Sequence, residues 1–129
     1  MGFVQVPVKL HSVKNGSSPI EVEMLVDTGA IFTLVPRRVL QELGVEASGK
    51  RVFQTIDGSP IEREVGVVQM EVQGQQPPGP VPVIFGEDED GSVLGVTALE
   101  SMGLKVDPAT GKLVKTDLLM LALREGRGQ

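Results

Sequence analysis

The sequence has no cysteine, no tryptophan and no tyrosine, and it has a single histidine and four phenylalanines. Without cysteine there is no disulfide, no thiolate nucleophile and no cysteine-ligated zinc. That lack also fits the cytoplasmic location we expect. So few aromatic rings leave little for base stacking, and a formal net charge of −5 repels a phosphate backbone. No nucleic-acid partner is expected. No apolar run approaches the ~20 residues that span a bilayer. The first residues, Met1 to Pro7, carry neither a basic region nor a cleavage signature. Val6 stands where a myristoylation signal requires Ser or Thr, so no membrane partner is expected either. A Ser-His-Asp triad would have to use His11, and no Gly-x-Ser-x-Gly elbow accompanies it.

What is present reads as mostly β. Valine leads the apolar set, 16 glycines and 9 prolines supply turns, and helical periodicity is scarce. A chain of 129 residues suits one domain, 1–129, with a modest core and a polar tail from about residue 124. Phe3 to Val13 reads as one or two strands, with Pro7 at an edge or kink. Asn15-Gly16 is a hairpin signal. Ile20 to Val26 alternates, with Ile20, Val22, Met24 and Val26 on one face. Ile31 to Val35 is a second strand. Pro36 opens a helix whose apolar stripe is Val39, Leu40 and Leu43 and whose stop is Gly44. Residues 45–50 form a loop.

Arg51 to Ile56 and Ser59 to Val72 form a long hairpin around a two-residue Asp57-Gly58 turn. Val81 to Phe85 is a strand interrupted by Pro82. Glu87 to Asp90 is a solvated acidic loop, without the spaced ligands of a calcium loop. No metal or other cofactor is expected. Ser92 to Leu94 is a short strand. Thr97 and Glu100 fit a capping box for a helix over Ala98 to Met102. Leu104 to Asp107 is a strand, Pro108 to Gly111 a turn, and Lys112 to Leu123 returns as strand, with helix an alternative from Asp117. Residues 24–43 are weakly echoed at 83–102, each as strand, glycine, strand and short helix.

The stretch that organises the chain is Val22 to Val35. A strand delivers one carboxylate, Asp27, to a tight turn, Thr28-Gly29-Ala30, before a second apolar run. Charged groups are rarely buried unless paired or functional, so an acid between two apolar strands points to chemistry. Gly29 permits a sharp turn and close approach of another chain.

This Asp-Thr-Gly-Ala with apolar flanks resembles the active-site loop of the aspartic proteases, and the short chain resembles their single-domain, retropepsin-like branch. The 51–72 hairpin stands where that family has its substrate-covering flap. Val93-Leu94-Gly95 before a short helix looks like the element that supports the catalytic loop. The likeness in order covers roughly residues 20–107. It implies a retropepsin-like closed β-barrel with one or two short helices, one lobe per chain.

Hydrolysis of this kind needs two carboxylates sharing one proton, a logic known from the aspartic proteases themselves. Asp-Thr-Gly occurs once, so the resemblance implies a homodimer with an Asp27/Asp27 dyad, acting as an endopeptidase on peptide or protein substrates with water as nucleophile. Thr28 and Gly29 would support the dyad. Gly29, Ala30, Ile31, Ile56, Asp57, Gly58 and Val93 would bind substrate.

The sequence departs from the viral pattern at Ile31 and Val96, where an acid and an arginine are usual, and an apolar contact is expected to replace that pair. The flap tip carries Asp57. Phe3–Val6 and Leu118–Leu123 suggest a terminal dimer sheet. A retropepsin-fold module that dimerises or binds peptide without cutting is the alternative, and a monomeric barrel with Asp27 as a turn residue is a third.

Overall fold

The computed structural model describes residues 4–14 and 18–116. Seven strands form one sheet: β1 (Val4–His11), β2 (Ile20–Val26), β3 (Thr33–Pro36), β4 (Gly49–Gln54), β5 (Pro60–Glu71), β6 (Val81–Gly86) and β7 (Val93–Leu94). Their order is β1-β2-β7-β3-β6-β5-β4. Lys9, Leu10 and His11 of β1 also pair with Glu71, Met70 and Gln69 of β5, so the sheet closes on itself. β4 lies outside that ring and pairs with β5 alone. Helices α1 (Arg37–Leu43) and α2 (Val96–Ser101) follow β3 and β7, and β8 (Leu104–Asp107) with β9 (Lys112–Lys115) forms a separate ribbon. The molecule is mostly β, as the composition implies. Among the described residues no helix is long and apolar enough to cross a membrane.

Alternation builds the core. Val6, Val8 and Leu10 of β1 turn inward while Gln5, Pro7 and Lys9 face out. Met24 and Val26, Val68 and Met70, and Val81, Val83 and Phe85 do the same on their strands, and Val72 just after β5 is buried with them. Val39, Leu40 and Leu43 of α1 are buried as the stripe predicts. Each such side chain contributes roughly 1.5–3 kcal/mol relative to exposure, which holds the ring shut.

The internal echo is real in topology. β2 runs parallel to β7, β3 runs parallel to β6, and β3 and β7 meet antiparallel between them. Each half therefore supplies a strand to the other, and the chain after β2 is locked by a strand distant in sequence.

Several boundaries differ from expectation. The second strand begins at Thr33, because residues 31 and 32 bend. Pro36 ends that strand, with ψ 137° and a pairing to Gly86, so the helix starts at Arg37. β4 starts at Gly49, inside the expected loop. β6 runs unbroken through Pro82, which is exposed and precedes the pairing with β3 that starts at Val83. No side chain caps α2: Gly95 is its N-cap residue, and Thr97 lies inside the helix. Asn15-Gly16, Phe3, Leu118–Leu123 and the polar tail lie outside the described residues.

Candidate active site

Asp27 stands at the end of β2 and is held chiefly by backbone. Its N–H donates to the Leu94 carbonyl at 3.1 Å, and its carbonyl accepts the Ala30 N–H at 3.1 Å, closing the turn. The Gly29 N–H donates to Asp27 Oδ1 at 2.9 Å. That bond orients the carboxylate. Gly29 leaves room beside the carboxylate and is not in a left-handed turn. A Cβ there would sit 3.2 Å from the same Asp27 oxygen, and its φ is not positive. Asp27, Thr28 and Gly29 are exposed in the single chain. Asp27 stands at the turn as the sequence reading places it, with its backbone fixed by β2 and β7 and its side chain exposed.

Beneath this turn runs the segment from β7 into α2. The Val96 N–H donates to the Ala30 carbonyl at 2.7 Å, and the Thr97 N–H to the Ile31 carbonyl at 3.2 Å. The approach is so close that a Cβ on Gly95 would lie 2.5 Å from the Phe32 carbonyl oxygen and 2.9 Å from that of Ile31. Only glycine fits against those backbone atoms. The Gly95 N–H donates to the buried Thr33 Oγ1 at 3.1 Å. These bonds join the two segments where an apolar contact between Ile31 and Val96 was expected. Ile31 is 62% exposed, so that contact is not what holds them. Val93 is half-buried in β7, between Leu25 and Leu34.

The hairpin of β4 and β5 meets this loop through an edge-to-face pair, Phe32 with Phe53, centroids 6.1 Å apart. A cavity of about 260 Å³ adjoins the pair, lined by Arg51, Val65 and Ile84 among others. The hairpin tip is not a two-residue turn. The Thr55 N–H bonds the Ser59 carbonyl and the Gly58 N–H the Thr55 carbonyl, leaving Ile56, Asp57 and Gly58 as a three-residue loop with Gly58 at φ 86°. Asp57 is drawn back into that loop. The Thr55 hydroxyl and the Ser59 N–H donate to its Oδ1. The Thr55 hydroxyl, then Ser59, pulls the acid down to about 2. Ile56 at the tip is fully exposed, and Gly58 and Asp57 are exposed beside it.

The acidic loop is not simply solvated, which corrects its sequence reading. Glu87 and Asp90 turn inward, to Arg37 at 2.8 Å and Arg63 at 2.8 Å. Arg37 also reaches Glu64 at 2.7 Å and stacks over the Phe85 ring, 5.1 Å from its centroid. Arg63 holds Asp90 below the ordinary carboxylate range, and Arg37 does the same for Glu87. Among the described residues no group of three or more metal-ligating side chains assembles. His11 is half-buried beside another cavity of about 280 Å³. It lies at the end of β1 remote from Val4, the residue that pairs beside Asp27.

The site residues read from sequence thus fall into two groups. Asp27, Thr28, Gly29, Ala30, Ile31 and Val93 lie on one loop and its support, and Ile56, Asp57 and Gly58 on the hairpin tip. Sequence reading missed Thr33, Phe32, Phe53 and the ion pairs of Arg37 and Arg63. A buried threonine within a strand carries no signal, and pairs separated by 27 or 50 positions leave none in a single chain.

Among curated proteins none matches the chain. The solution structure of simian foamy virus (mac) protease superposes with TM-score 0.52 at 19% identity, covering 74% of this chain and 91% of that one. At that identity the likeness shows the fold, a retropepsin-like one. Residues 6–98 match the sequence profile described as aspartyl protease. Asp27, the strand that carries it and the Gly95 segment that supports it all lie within those residues. The chain therefore belongs to the aspartyl protease family, in its retropepsin-like form.

Proposed function

We propose that this chain is an aspartic endopeptidase that works as a homodimer, with Asp27 of each copy forming one dyad on a two-fold axis. The observation that carries the reading is the state of the Asp27 loop in the single chain. Its backbone is locked from below by β7 and Gly95, while Asp27, Thr28 and Gly29 face outward beside the exposed Ile31. A carboxylate so firmly oriented, with Asp-Thr-Gly occurring once, is completed by a second copy of itself.

In this reading the two acids share one proton, as in aspartic proteases generally. The ionised one takes a proton from water as the oxygen adds to the scissile carbonyl carbon. The protonated one gives its proton to the carbonyl oxygen. Collapse of the tetrahedral intermediate breaks the C–N bond and the amine leaves with a proton. Thr28 braces the loops across the axis. Gly29 and Ala30 bind the peptide backbone, and Ile31 and Val93 contact its side chains. The β4–β5 hairpin, with Ile56, Asp57 and Gly58 at its tip, covers an extended peptide added as a strand. Among these, Asp57 acts mainly by shaping the tip, because its carboxylate is already engaged by Thr55 and Ser59.

The test is cleavage of unfolded protein across the acidic and neutral range, read by mass spectrometry, with wild type beside Asp27→Asn. The substitution keeps shape and removes the ionisable acid. Activity should fall roughly 10³-fold or more, with the fold unchanged by circular dichroism. The wild-type rate should decline on both sides of an acidic-to-neutral optimum. Equal cleavage by both proteins would overturn the reading. Peptide capture by wild type without any turnover would favour the binding-module alternative.

A further inference from the structure

The β4–β5 hairpin leaves the closed sheet at a defined point. Val65 pairs with Gly49 of β4 and with Ile84 of β6, whereas Glu64 and the residues before it in β5 pair with β4 alone. Any swing of the hairpin pivots there. The two residues at this pivot are the ones gripped by charge. Arg63 holds Asp90 with two parallel bonds, Nε to Oδ2 at 2.8 Å and Nη2 to Oδ1 at 3.2 Å, the geometry in which a guanidinium fixes orientation as well as distance. Both side chains are largely shielded, at 15% and 16% exposure. Glu64, which projects to the other side of the strand, lies 2.7 Å from Arg37, and Arg37 bridges onward to Glu87 at 2.8 Å. The Glu87 N–H donates to Asp90 Oδ2 at 2.7 Å, tying the two grips together.

The loop that makes these contacts continues into the support of Asp27. From Asp90 the chain passes through Gly91 into Ser92, whose carbonyl accepts the Leu25 N–H at 3.0 Å, and on to Leu94, whose carbonyl accepts that of Asp27 at 3.1 Å. One short segment is thus bonded to the hairpin root on one side and to the Asp27 strand on the other.

We propose that Arg63 and Asp90 are positioning residues, which with Arg37 fix the pivot of the hairpin relative to the Asp27 loop and so set how the hairpin closes on a peptide. This rests on reading Asp27 as the catalytic acid and the hairpin as its cover. Arg63 and Asp90 touch no substrate in this account. They act through the hairpin.

The experiment compares Arg63→Gln, Asp90→Asn and the charge-swapped double variant Arg63→Asp with Asp90→Arg. Glu62→Gln on the same hairpin serves as control, since its pair with Lys50 is 4.0 Å long and mostly exposed. Two readouts are taken: KM and kcat on a cleaved peptide, and amide hydrogen exchange. For Arg63→Gln and Asp90→Asn, KM should rise about tenfold with kcat changed much less. Exchange over residues 49–64 should quicken about tenfold, while Val6, Val8 and Met24 in the core keep their protection. The swapped pair should regain most of both, and Glu62→Gln should match wild type.

Unchanged exchange and KM in Arg63→Gln would overturn the proposal. So would loosening spread evenly over hairpin and core, which marks a merely structural role, or an equal effect of Glu62→Gln. If wild type cleaves nothing, the endopeptidase reading fails, and the exchange readout alone still decides whether the pair fixes the pivot.

Discussion

The Asp27 loop and the β4–β5 hairpin are held by different chemistry. The loop is fixed by backbone: Asp27 to Leu94, Val96 to Ala30 and Thr97 to Ile31, with Gly95 pressed against the Phe32 carbonyl. The hairpin is fixed by side chains: one aromatic pair, Phe32 with Phe53, and the ion pairs of Arg63 and Glu64 at its root. Backbone bonds inside a closed sheet open only with the sheet itself, whereas side-chain contacts on an outlying strand give way locally. Under the proposed function, these two constructions suit a carboxylate that holds its orientation and a cover that admits a peptide.

The largest effect should come from filling the space at Gly95. In Gly95→Ala the new methyl meets backbone atoms of Phe32 and Ile31 that cannot rotate away. The cost should be about 3 kcal/mol, seen as a melting temperature lower by roughly 10 °C, with loss of cleavage even below the transition. An Ala variant as stable and active as wild type would show that the close approach does not hold the loop.

A smaller effect should come from the hairpin. Phe53→Ala removes the edge-to-face pair and should cost about 1 kcal/mol beyond lost burial. Exchange should quicken over the hairpin and leave the amides of Asp27 and Leu25 protected. Equal quickening of both regions would erase the distinction drawn here.

The smallest is a dependence on acid. Arg63 depresses the Asp90 carboxyl, burial opposes it and the Glu87 N–H adds to the depression, and Arg37 depresses Glu87 against burial and the neighbouring Asp90 charge. A depressed carboxylate contributes stability that is complete above its unfolded value, about 4, and is lost as pH falls through the folded value. The hairpin root should therefore stay closed through mildly acidic solution and loosen only in stronger acid. Carboxyl-carbon NMR checks this: Asp90 and Asp57 should titrate below the ordinary range, Asp57 at about 2. Titration in the ordinary range would mean that Arg63 and Thr55 do not hold them.

How much of this could be read from the sequence divides along the same line. The Asp27 strand is a local pattern. Alternation over Ile20–Val26, the Asp-Thr-Gly turn and the Val-Leu-Gly element each lie within a few residues, so strand, turn and support were legible. Helix α1 was legible too, because Val39, Leu40, Leu43 and Gly44 state a stripe and a stop. The hairpin was legible as a hairpin, but its loop length was not. Asp-Gly suggests a two-residue turn, whereas the Thr55 and Ser59 contacts to Asp57 favour three residues with Gly58 left-handed. The capping box at Thr97 failed because the helix starts two residues earlier, at Val96 with Gly95 as its N-cap residue, where the Val96 N–H bonds the Ala30 carbonyl. The acidic loop read as solvated because its arginine partners come from α1 and β5, far away in the chain.

The central claim is that one active site takes two copies of Asp27. The direct test is to mix wild type with increasing amounts of Asp27→Asn under conditions where subunits exchange, and to follow peptide cleavage at constant total protein. If the site is shared, activity falls with the square of the wild-type fraction, because only wild-type pairs carry the complete dyad. If activity falls in simple proportion to the wild-type fraction, each chain works alone and the shared dyad is contradicted.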